Sequence, residues 1–163
     1  MGDRISKENY YLDIAQTVSE RSTCLRRRFG AIIVRNDVIV STGYNGAPRG
    51  RKNCSDLCTC YREQLGIPHG ERYEMCRSVH AEANAIIAAA RDQMLGAVLY
   101  LCCTDPVSGG VMPGTNSCMM CKKLIINSGI SKVVIRDTPD DYRIVEVSEW
   151  INDDDSLGGR TGY

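Results

Sequence analysis

Val79-His80-Ala81-Glu82-Ala83-Asn84-Ala85-Ile86-Ile87-Ala88-Ala89-Ala90-Arg91-Asp92, followed by the apolar run Ala97-Val98-Leu99-Tyr100-Leu101-Cys102-Cys103, sets the fold class. Alanine is the strongest helix former, so its density predicts a helix over 79–92 whose small side chains let it lie close to a sheet. The β-rich run predicts a strand over 97–102. A further helix opens near Cys118 and stops at Asn127-Ser128-Gly129, where glycine suits a left-handed terminus, and residues 132–136 read as the next strand. This β-α-β alternation implies a parallel strand pair, with successive helix N-termini along one edge of the sheet.

Working outward, Ser6 is placed to cap a helix reaching about Arg21, with Tyr10, Ile14 and Val18 at the spacing of one face. Residues 29–35 and 38–44 are β-rich and separated by Asn36-Asp37, which predicts a tight hairpin and an antiparallel start to the sheet. Residues 143–147 offer a fifth strand. The expected architecture is α/β: a three-layer α/β/α sandwich around a mixed five-stranded sheet. It forms a single domain over residues 1–152, with a Cys-rich, Gly- and Pro-containing insertion at about 45–77 and a mobile tail at 153–163.

Twenty basic and twenty acidic residues cancel, so no global charge attracts nucleic acid or anionic lipid. No apolar run approaches the roughly 20 residues of a membrane span and the N-terminus lacks a secretory pattern, so the expected location is the cytoplasm. Nine cysteines, an odd count, argue against a complete disulfide set and for metal ligation in a reducing compartment. Cys102 and Cys103 are the exception, being read as small buried thiols of a strand.

Cys118 and Cys121 are three apart at a helix start, so both sulfurs can lie on one face, and His80 opens the other helix at the same sheet edge. Two thiolates and one neutral imidazole balance Zn²⁺ and leave a fourth tetrahedral position open, as catalytic zinc sites do. Thiolate ligands donate charge to the metal and acidify water less than imidazoles. A neighbouring base is then required, and Glu82 is placed to take a proton from water and return it to the substrate. The plainer reading, a closed structural knot, has no use for that carboxylate.

His80-Ala81-Glu82-Ala83-Asn84-Ala85-Ile86 with Cys118-x-x-Cys121 resembles the zinc-dependent cytidine and deoxycytidylate deaminases, whose signature is His-x-Glu followed by Pro-Cys-x-x-Cys. Ser117 stands where that proline is expected, a departure that bears on loop rigidity more than on metal binding. Similarity extends through Ser22-Thr23-Cys24, residues 30–34, Gly43-Tyr44-Asn45-Gly46-Ala47-Pro48 and residues 124–130, and points to the deoxycytidylate branch. The resemblance implies conversion of dCMP to dUMP and ammonia, a homo-oligomer, often hexameric, activation by dCTP and inhibition by dTTP. Other substrates of the same chemistry (cytidine, guanine or a tRNA adenosine) stay open, as does a non-catalytic zinc protein that binds nucleotides.

By the same resemblance Asn45 holds a sugar hydroxyl, although Asn before Gly46 is also an ordinary turn former. The Ala81 amide would orient the base, and Arg91 and Tyr142 are further substrate candidates. Arg26, Arg27, Gly46 and Arg49 are candidates for a phosphate or an effector. Cys24 and Cys54 fall where related phage enzymes carry a second, structural zinc, and Cys60 and Cys76 flank the segment that needs fastening. Cys58 is an alternative to Cys60.

Overall fold

In the computed structural model, which describes residues 2–153, the chain forms a five-stranded sheet in the order β2-β1-β3-β4-β5. Its strands are β1 (Arg28–Arg35), β2 (Val38–Tyr44), β3 (Val98–Thr104), β4 (Lys132–Arg136) and β5 (Tyr142–Glu146). Only β3 and β4 run parallel; every other neighbouring pair is antiparallel. The mixed sheet follows directly from the connections. Asn36 and Asp37 both adopt positive φ, 50° and 61°, which the two-residue hairpin between β1 and β2 demands.

The helices are α1 (Lys7–Ser19), α2 (Cys54–Leu57), α3 (Tyr61–Gln64), α4 (Ala81–Ile87), α5 (Arg91–Met94), α6 (Met119–Ser128) and α7 (Val147–Asn152). Alternation along β1 assigns the layers: Ile32 and Val34 join Leu12, Ala15 and Tyr100 beneath α1, whereas Ala31 and Ile33 join Ala81, Ala85 and Ile125 beneath α4 and α6. Two glycines let the layers close. A Cβ on Gly30 would lie 2.0 Å from the Ala15 carbonyl oxygen of α1, and one on Gly43 would lie 2.3 Å from the Ala81 carbonyl oxygen of α4. Arg136, 1% exposed, ties β4 to α1 through Asp13 at 2.7 Å, Gln16 at 2.9 Å and the side chain of Asn9 at 3.1 Å.

Ser6 caps α1 through the Asn9 amide, and Gly129 ends α6 with φ 84°, both as expected. The buried face of α1 is Tyr11, Leu12, Ala15 and Ser19, not the Tyr10 face; Tyr10 is half exposed, while Ile14 and Val18 pack at the margin. Close approach to Gly30 selects small residues, which hydrophobic spacing does not register. The helix expected over 79–92 ends at Ile87, Ala90 is extended, and α5 begins at Arg91. Turning the chain there carries Met94 and Ala97 into the core ahead of β3, which outweighs the helix propensity of Ala88 to Ala90.

The insertion holds α2, α3 and a 3₁₀ turn at Tyr73–Met75. Buried Arg62 fastens it by donating to the carbonyls of Pro68 at 2.8 Å and Glu71 at 2.5 Å, with its guanidinium 4.4 Å from the centre of the Tyr73 ring. The fifth strand is followed by α7, whose six residues are too few to show a period. Apart from Asp153, the expected tail lies outside the described residues. Among the described residues, no helix is long and apolar enough to cross a membrane.

Candidate active site

His80 is the N-cap of α4 and Cys118 the N-cap of α6. Because β3 and β4 are parallel, the helices that lead into them begin at the same sheet edge. His80 Nδ1 lies 3.4 Å from Cys118 Sγ and 3.5 Å from Cys121 Sγ. Among the described residues, this is the one group of three or more His, Cys, Asp or Glu side chains whose ligand atoms all fall within 4.8 Å. Zinc bonds of about 2.0 Å to nitrogen and 2.3 Å to sulfur at a tetrahedral angle separate N and S by about 3.5 Å, so the three groups fit this ion.

The protons of the cluster are already polarised. Burial opposes charge on His80, yet hydrogen bonds with Cys118 and Cys76 and the carboxylate of Glu82 carry its pKa up to about 10. Cys118 falls to about 4, first through its hydrogen bond with Cys121, against burial, and then through His80. Cys121 is pushed up by that same bond and by burial. Cys102 and Cys103 are fully buried on β3, and burial raises both to about 12, in keeping with core thiols.

Glu82, in the first turn of α4, is only 3% exposed. Burial raises its carboxyl pKa against the opposing His80 charge, and Ser117 Oγ donates to Oε1 at 2.9 Å. This carboxylate and the His80-Cys118 pair face one cavity of about 270 Å³, which Ala81, Asn45, Phe29 and Leu25 also line. Arg26, Arg27, Arg62 and His69 add basic groups. Burial, then the charges of Arg27, Arg26 and Arg62, hold the His69 imidazole below its ordinary range.

Asn45 is committed more deeply than a turn former. Its Oδ1 accepts from Ser22 Oγ at 2.5 Å and Phe29 N at 2.8 Å, and its Nδ2 donates to Arg27 O at 2.9 Å, leaving one amide hydrogen for a ligand. Gly46 pairs with Val79 in a two-bond bridge that sets the strand entering His80, and neither it nor Arg49 lines the cavity.

Two of the substrate candidates stand away from this cavity. Arg91 starts α5 beyond the break in the helix, exposed, with Nε donating to Asn127 O at 3.4 Å. Tyr142 packs with the α1-side cluster, across the sheet from α4. Neither lines the cavity.

Of the four cysteines proposed for a second metal, Cys24, Cys60 and Cys76 line the same cavity, and after burial they raise the pKa of the Cys54 thiol. No three of their sulfurs lie within 4.8 Å of one another. Cys58 is exposed and its thiol donates to Ser55 O at 3.5 Å.

His69, Arg62 and Tyr73 went unread in the sequence, because an irregular insertion gives no period from which to place a side chain. Ser117 carried a signal, its departure from the expected proline.

The family model described as the cytidine and deoxycytidylate deaminase zinc-binding region matches residues 5–137. The chain is 38% identical over 132 residues to the deoxycytidylate deaminase of Mycobacterium phage D29, covering 78% of this chain and 91% of that protein. It is 33% identical over 131 residues to the deoxycytidylate deaminase of Schizosaccharomyces pombe, covering 80% of this chain but 37% of that longer protein. The crystal structure of dCMP deaminase from cyanophage S-TIM5 in complex with dCMP and dUMP matches with a TM-score of 0.54 at 27% identity, covering 82% of this chain and 84% of that one. The convergence of His80, Cys118 and Cys121 beside a buried Glu82 agrees with the match over residues 5–137, and the chain belongs to the cytidine and deoxycytidylate deaminase family.

Proposed function

We propose that the chain is a zinc-dependent hydrolase that converts dCMP and water to dUMP and ammonia. The observation that carries this reading is the convergence of Glu82 with His80 and Cys118, two members of the His-Cys-Cys cluster, on a cavity that also bears Arg26, Arg27 and His69. The named activity of the phage D29 relative and the dCMP and dUMP bound to the S-TIM5 enzyme support it.

His80, Cys118 and Cys121 would hold the ion, which when bound supplies Lewis acidity that lowers the pKa of water. Glu82 takes a proton from the attacking water and delivers it to ring N3 as oxygen bonds to the amino-bearing carbon. The regenerated carboxylate then takes the second proton, from the hydroxyl now on that carbon, and passes it to the amino group; the C–N bond breaks as the carbonyl forms, so water is consumed and ammonia leaves. Burial of Glu82 keeps bulk water from competing for that proton. The Ala81 amide orients the base, and the remaining Asn45 amide hydrogen serves the sugar hydroxyl. Arg26 and Arg27 receive the phosphate, in the same positive field that depresses His69.

The finer reading includes dCTP as activator, dTTP as inhibitor and assembly of copies into a homo-oligomer, a hexamer in keeping with the resemblance. Exposed Ile87, Met120 and Leu124 on α4 and α6 support association. It also includes a structural zinc drawn together from Cys24, Cys54, Cys60 and Cys76, with the less exposed Cys60 preferred over the exposed Cys58.

Ammonia release from the zinc-loaded protein, measured with dCMP, dCTP, deoxycytidine, cytidine and CMP, with and without dCTP or dTTP as effectors, tests substrate and regulation together. No release from dCMP in the presence of dCTP defeats the functional reading. Two zinc ions per chain, falling to one in Cys54→Ser, support the second site; one ion in the parent defeats it.

A further inference from the structure

We propose that Ser117 is a positioning residue for Glu82, replacing the motif proline with a hydroxyl that fixes the orientation of the reacting carboxylate. This rests on the deaminase reading. Ser117 is fully buried, its Oγ stands 2.9 Å from Oε1 of the nearly buried Glu82, and this is the hydrogen bond that joins the cysteine loop to the carboxylate across 35 positions of sequence. Proline has no donor and cannot make that contact.

The loop replaces proline's rigidity by other means. Asp137 Oδ1 accepts from the Gly114 amide at 3.0 Å, the Arg143 guanidinium donates to the Thr115 carbonyl, and Thr115 Oγ1 donates to Met112 O at 2.9 Å. Arg143 is itself held by Asp137 at 2.6 Å. The Ser117 amide is closed off by Asn116 Oδ1 at 2.9 Å, so its hydroxyl is the group the loop presents to Glu82. With Oε1 held, rotation of the carboxyl about its last bond is restrained. A hydroxyl both donates and accepts, so Ser117 can stay bonded before and after Glu82 carries the transferred proton.

A residue that orients the base affects the chemical step more than substrate binding. Ser117→Ala is expected to lower kcat for dCMP about tenfold with KM within about twofold of the parent. Zinc content should not change, and Ser117→Thr should recover most of the rate. Ser117→Pro, which restores the motif ring without a hydroxyl, should resemble Ser117→Ala. A kcat for Ser117→Ala within about twofold of the parent overturns the proposal, as does a joint loss of zinc, KM and kcat in both donor-free variants.

The infrared carboxylate band of Glu82, assigned by subtraction of Glu82→Gln, needs no substrate. It should shift in Ser117→Ala and return in Ser117→Thr; an unmoved band overturns the proposal. A parent protein inert toward dCMP but showing that shift would defeat the deaminase reading and leave the Ser117 contact established.

Discussion

His80 and Cys118 are each the N-cap of a helix, and their Nδ1 and Sγ atoms approach to 3.4 Å across the gap between α4 and α6. Two chain segments separated by a strand and a long loop thus meet through the residues that begin their helices. The triad holds its protons on His80 and Cys121, whose pKa values are raised, while Cys118, with its pKa lowered to about 4, is the deprotonated member.

Zinc binding must displace those protons. The apo protein should therefore release protons on titration with zinc, and apparent affinity should weaken as pH falls. Calorimetry in buffers of different ionisation enthalpy measures the number released, and Cys121→Ser should release fewer while losing ammonia production.

Glu82→Gln keeps the shape of the side chain and removes the proposed proton shuttle. Turnover of dCMP should fall by at least about 10²-fold, the lower end of what general acid-base catalysis contributes. Zinc content and equilibrium binding of dCMP should survive, as metal analysis and dialysis would show.

Arg27 offers the clearest test of phosphate recognition. Arg27→Ala retains the backbone carbonyl that Asn45 binds and removes the side chain that carries the guanidinium. KM for dCMP should rise about tenfold or more, while turnover of deoxycytidine should change little. By the same logic the His69 pKa, held down by burial and then by Arg27, Arg26 and Arg62, should rise when dCMP binds, an effect visible by NMR of the imidazole.

Asp137 contributes a pH-dependent element of stability. Burial tends to raise its pKa, but the Arg143 hydrogen bond and the Gly114 amide bring it below the ordinary value. A depressed carboxyl gives stability that is complete above the unfolded pKa of about 3.9 and is lost as pH falls through the folded value. Arg143→Ala should therefore lower the denaturant midpoint at neutral pH, and the difference from the parent should narrow below about pH 4.

Gly30 sets the spacing of α1. Gly30→Ala would drive a methyl into the Ala15 carbonyl and the Ser19 backbone, at 2.0 and 2.5 Å. Because neither neighbour is a flexible side chain, destabilisation should be about 3 kcal/mol, the upper end of ordinary overpacking, as read from urea unfolding.

What was legible in the sequence follows the reach of local signals. Strands β2 and β4 fall on the expected residues, and the paired glycine and serine caps mark α1 and α6, because turn chemistry and caps act over a few positions. The triad was legible for a similar reason: two helix starts at one sheet edge follow from β-α-β order alone. The break after Ile87 was not, since it is decided by where Met94 must go. The burial of Ser19 likewise depends on Gly30, a residue in another layer. Arg62 and His69 reach the cavity through an irregular path that no periodicity describes.

The insertion does more than cover the cavity. Arg62 spans from its own loop to the Tyr73 ring, and that ring meets the edge of His80 at 5.2 Å between centroids. The segment that differs most in composition from the rest of the chain is therefore mechanically continuous with a member of the proposed zinc triad. Exchanging it for a shorter loop would take Arg62 and His69 from the cavity and the brace from His80 in one step, so a chimera is expected to change in substrate preference and in zinc content together.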